Sequence, residues 1–75
     1  MSEKLSNLWR GALVRLASHG LTGVNELAFY QKDCENRAAI DQMFIKGYDR
    51  YFVFDHELRT IRISADGLRA IKGIT

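Results

Sequence analysis

The sequence predicts one α+β domain, helices first and then a small antiparallel sheet. Three observations predict it. An amphipathic stripe opens the chain, with Leu5, Leu8, Trp9, Ala12, Leu13, Leu16 and Ala17 recurring at three- and four-residue steps. A second helical stretch stops at Lys46-Gly47-Tyr48. Two short runs rich in aromatic and β-branched residues follow, Tyr51–Phe54 and Ile61–Ile63, separated by a polar loop.

The chain has 75 residues, enough for one domain with a small core. A partner subunit is therefore a natural source of further stability. The formal net charge is only +2, so an acidic partner is allowed without being required. The single cysteine, Cys34, excludes an internal disulfide and fits a reducing, cytoplasmic compartment. No apolar run approaches the roughly 18 residues of a membrane span, and no signal-peptide pattern opens the chain.

Each element has local support. Arg10 and Arg15 lie off the stripe of the first helix, and His19-Gly20 is expected to end it. Gly11 costs about 1 kcal/mol of helix propensity against Ala and suits a close approach by another element. Leu21 is an isolated apolar residue that would suit a short strand pairing with the hairpin. Thr22 can cap a second helix with Val24, Leu27 and Ala28 buried. Asp33 can cap a third, from Cys34 to Lys46.

At 100° per residue, Ile40, Met43, Phe44 and Gly47 share one side of helix three, with Asn36 near them. Glu35, Ala38, Asp41, Gln42 and Ile45 share the other. In the second strand Ile61 and Ile63 point one way and Arg62 the other. Ser64 caps a closing helix from Ala65 to Ile71, with Leu68 and Ile71 turned inward.

The run IDQMFIKGY (Ile40–Tyr48) resembles the recognition-helix end of winged helix-turn-helix regulators. The run IRISADGLRAI (Ile61–Ile71) resembles the second wing strand and following helix of MarR-type and PadR-type regulators. Leu21-Thr22, followed by Glu26-Leu27-Ala28, resembles the first helix of their helix-turn-helix. The resemblance spans roughly Leu21 to Ile71. It implies a winged helix with the helix-turn-helix at about 22–47 and the wing at about 50–63. It also implies double-stranded DNA as partner and transcriptional control as the role. One such small module buries limited area and binds weakly alone, so a homodimer is the expected working form.

On that resemblance helix three enters the major groove. Glu35, Arg37, Ala38, Asp41 and Gln42 would then face the bases, and His56, Arg59 and Arg62 on the wing would meet the backbone. Charge leaves a second reading open. Residues 32–46 hold Lys32, Arg37 and Lys46 against Asp33, Glu35 and Asp41, and the hairpin is balanced as well. The cationic surplus sits in the first helix and the C-terminal tail. A neutral face bearing Ala38 and Ile45 also suits a protein partner, as in an adaptor or inhibitor. Arg59 and Arg62 would then be ordinary partners of Asp55 and Glu57 across the hairpin.

No catalytic constellation is expected. Asp55-His56-Glu57 are adjacent and point different ways, with no further His or Cys at ligand spacing. His19 suits a helix C-terminus through its dipole. Cys34 has no base partner, so a buried or half-buried structural role is expected. No enzyme activity, metal or cofactor is expected. Trp9 is a core residue or the anchor of an interface, while Val14 and Ile45 are apolar residues on outer faces.

Overall fold

The computed structural model describes residues 6–72. Its elements are α1 (Asn7–Ala17), β1 (Val24–Asn25), α2 (Glu26–Lys32), α3 (Cys34–Ile45), β2 (Phe52–Asp55), β3 (Thr60–Ile63) and α4 (Ala65–Lys72). Short 3-10 turns at Gly20–Thr22 and Asp49–Tyr51 lead into β1 and β2. The fold is α+β, with four helices and a three-stranded antiparallel sheet ordered β1-β3-β2.

α1 starts where the Ser6 hydroxyl accepts a hydrogen bond from the Trp9 N–H. It buries Ala12, Leu13 and Leu16. Leu5 of the expected stripe lies outside the described residues. The helix ends at Ala17 with Ser18 as its C-cap, and Gly20 just beyond takes the left-handed conformation expected of it, with φ +67°. Gly11 does not admit another element: its neighbour is the guanidinium of Arg15, from the next turn of the same helix.

The start of α2 differs from the expectation. Thr22 belongs to the first 3-10 turn and donates its hydroxyl to the His19 carbonyl. Asn25 is the cap instead, accepting from the Leu27 and Ala28 N–H groups. The preceding strand decides this. Val24 pairs with Ile61 and Asn25 with Thr60, so the chain must stay extended to that point. Gly23 makes the approach possible: a Cβ there would lie 2.7 Å from the Ile61 carbonyl oxygen, and its φ is +79°. The strand is therefore Val24–Asn25. Leu21 lies in the 3-10 turn, and its side chain is outside the described residues. The shift turns Leu27 and Ala28 to solvent and buries Phe29.

α3 starts and stops as its sequence predicts. The Asp33 carboxylate accepts from the Glu35 N–H at 2.9 Å. At the other end Gly47, with φ +85°, sends its N–H to the Phe44 carbonyl while Tyr48 sends its own to Met43. This paired closure satisfies two carbonyls that the helix leaves open. The buried side holds Asn36, Ala39, Ile40 and Met43. Phe44, expected inside, is 63% exposed, so the buried arc of α3 is narrower than the sequence suggests.

Asn36 is the one polar side chain in the described core. Its amide donates to the Phe29 carbonyl at 2.8 Å, and its oxygen accepts from Arg15 Nε at 2.7 Å. Arg15 also lies 3.6 Å from Asp33. One side chain thus ties α1, α2 and α3 together. Losing it would strand buried polar groups at about 1–3 kcal/mol each.

The hairpin pairs Phe52 with Ile63, Val53 with Arg62, Phe54 with Ile61 and Asp55 with Thr60. Ile61 and Ile63 are buried and Arg62 is exposed, as the alternation predicts. Tyr51, expected as a strand residue, instead ends the second 3-10 turn. Ser64 caps α4 by accepting from the Gly67 N–H. Leu68 and Ile71 are half-buried against the core.

Candidate functional site

Two surfaces were singled out by sequence, the outer face of α3 and the hairpin. α3 is held by its caps and by Asn36, so its outer residues stand at fixed positions on a rigid element. Glu35, Arg37, Ala38, Asp41, Gln42 and Ile45 are all exposed. Arg37 and Asp41 pair with each other at 3.8 Å, one turn apart. The Gln42 side-chain oxygen accepts from the Trp9 indole N–H at 3.1 Å. That engages the atom a base-reading glutamine would use as acceptor and leaves its amide N–H groups outward. Sequence alone had no signal for this bond, which joins residues 33 apart.

Cys34 is exposed, contrary to the expected buried or half-buried role. It occupies the same outer arc as Ala38 and Ile45, one and three turns further on, where no element packs. Ile45 is 81% exposed. Tyr30 sits at the border of α2 and α3. Burial raises its phenol pKa to about 12, with Glu26 and Asp41 adding to the rise and Arg37 opposing it.

The hairpin loop is built by Asp55. One of its carboxylate oxygens accepts from both the Glu57 and Leu58 N–H groups. The loop closes on Arg59, whose φ is +55°, a left-handed conformation that costs an ordinary residue about 1 kcal/mol. The Arg59 carbonyl accepts from the Glu26 N–H at 3.0 Å, tying the tip to the start of α2. His56 stacks on Phe54, with ring centroids 6.3 Å apart. Arg59 and Arg62 make no ion pair with a described residue, so the alternative reading that pairs them with Asp55 or Glu57 is not met. Asp55 is spent on the loop instead.

A third surface emerged only from the fold. Trp9, Tyr48 and Tyr51 form a ladder of rings, with centroids 5.3 and 5.7 Å apart. Lys46 lies over Trp9, and Arg50 lies over both tyrosines at 5.2–5.3 Å. Nearby, Arg10 donates to the Ile71 carbonyl, joining α1 to α4.

Among the described residues no group of three or more His, Cys, Asp or Glu is placed to hold a metal ion. No described helix is long and apolar enough to cross a membrane. No family model, no curated protein and no solved structure matches the chain.

Proposed function

We propose that the chain is a winged helix-turn-helix domain that binds double-stranded DNA, with α3 toward the major groove and the β2–β3 hairpin as the wing. The element order and the β1-β3-β2 sheet support the fold assignment. The observation that carries the function is the hairpin. Arg59 and Arg62 are exposed cations with no carboxylate partner among the described residues. Arg59 is also set at a fixed loop end by its tie to Glu26. In this reading the wing holds phosphates, while Ala38, Gln42 and Arg37 meet base edges. Transcriptional control is the role such binding would serve, with a second copy adding area that one small module lacks.

A protein partner at the outer face of α3 is the second reading, and a specific observation favours it. Ile45 and Phe44 are 81% and 63% exposed, while α3 carries one cation against two carboxylates. Such a face suits an apolar protein surface better than a polyanion.

Salt separates the two. Binding to random duplex DNA should weaken steeply between roughly 50 and 200 mM salt and fall further in Arg59→Ala. Absence of binding at the lowest salt would overturn the DNA reading. A partner recovered by pull-down and lost in Ile45→Asp would replace it.

A further inference from the structure

The ten cations and eight carboxylates among the described residues are not evenly spread. Arg10, Lys46, Arg50, Arg69 and Lys72 gather where the first turns of α1 meet the end of α3, the second 3-10 turn and α4. Only Asp49 and Asp66 accompany them, and Asp66 is paired with Arg69. The rest of the described chain has five cations against six carboxylates. The surplus charge therefore lies at one end of α3, away from the helix start, where Asp33 and Glu35 would repel a phosphate.

We infer that the phosphodiester backbone of a bound duplex runs along the C-terminal edge of α3, held by Lys46 and Arg50 and flanked by Trp9 and Gln42. The inference rests on the DNA reading above and adds to its wing a second phosphate contact, at the end of α3. Four features fit. Lys46 and Arg50 are exposed and both lie over aromatic rings, which orders their long side chains before a ligand arrives. Gln42 keeps its amide N–H groups for a phosphate or base edge, because only its oxygen is engaged by Trp9. Trp9 and Tyr48 are half-exposed, giving π faces beside the cations. Ile45, next in sequence, offers an apolar contact of the kind a thymine methyl accepts.

Trp9 is the chain's single tryptophan, so its emission reports this edge alone. The test is a titration of the full chain with a random 20-base-pair duplex, read by Trp9 fluorescence and by anisotropy of a labelled DNA, at several salt concentrations. The expected result is a change in Trp9 emission that tracks binding. Lys46→Glu should weaken binding and lower the salt slope by about one unit. Arg50→Gln should do the same by removing the charge while leaving a polar side chain, and circular dichroism would confirm its fold. DNA binding that leaves Trp9 emission unchanged and survives both substitutions would overturn this edge, while the DNA reading stands on the wing. Absence of any binding would overturn both.

Discussion

The two ends of the hairpin are built on opposite terms. At its base, Ser64 sends its N–H to the Tyr51 carbonyl and its hydroxyl to the Arg50 carbonyl, and receives the Gly67 N–H. Phe52, Ile63 and Gly67 are buried there. At its tip, residues 56–59 are exposed, Leu58 by 69%, and Arg59 is held in a left-handed conformation. The base is closed by packing, which punishes added volume. The tip is closed by one carboxylate and one backbone bond, which leaves the Leu58 and Arg59 side chains facing solvent. The same two strands thus supply an anchor at one end and a contact surface at the other.

The sharpest way to break that contrast is to add one methyl group at the base. A Cβ on Gly67 would lie 2.2 Å from the Tyr51 carbonyl oxygen and 2.7 Å from Ile63. Gly67→Ala should cost about 3 kcal/mol, read as a lower urea midpoint, because a backbone carbonyl cannot swing aside. A midpoint like that of the unaltered chain would show the base to be looser than its packing implies.

At the tip the expected costs are smaller. Asp55→Ala removes the acceptor of two loop N–H groups and should cost about 1 kcal/mol by the same measurement. Arg59→Gly should act in the opposite direction, adding about 0.5–1 kcal/mol by relieving the left-handed residue. On the proposed function it should also weaken duplex binding. A variant that is more stable but binds less tightly would separate the wing's contact role from its folding role.

The effect smallest at neutral pH concerns α2, which tethers the tip through Glu26. The Tyr30 phenol is raised to about 12 from an ordinary value of 10.0. A raised folded value means the neutral phenol is favoured by folding. Its contribution is complete below pH 10 and is lost as pH rises toward 12. Tyrosinate absorbance should show a late component near pH 12 that disappears in Tyr30→Phe, and stability in that variant should be flatter between pH 10 and 12.

How much of this was legible in advance follows from the range of each interaction. The caps of α3 were legible because Asp33 and Gly47 act on N–H and carbonyl groups within a few residues of themselves. The hairpin was legible because alternation puts Ile61 and Ile63 on one face whatever they pack against. The start of α2 was not. Thr22 and Asn25 are both competent caps, and the choice was made by a strand pairing with residues 60 and 61, far along the chain. Phe44 and Cys34 were misplaced for a related reason. A helical period tells which residues share a face, but the width of the buried arc depends on the helices that pack against it.

The proposed site residues divide the same way. The exposure of Ala38, Asp41 and Gln42 followed from periodicity, and that of Arg62 from strand alternation, since both are repeats of the backbone itself, whereas Arg37 was reached only through the family resemblance. The bond from Trp9 to Gln42, the ring ladder beneath Lys46 and Arg50, and the gathering of cations at one end of α3 did not. Sequence by itself determined the α+β class, the ends of α3, the hairpin and the outward residues, because short-range hydrogen bonding and side-chain period suffice for them. Tertiary structure alone decided where α2 begins, how Asn36 joins three helices and where the charge collects, because those depend on distances between residues that only packing brings together.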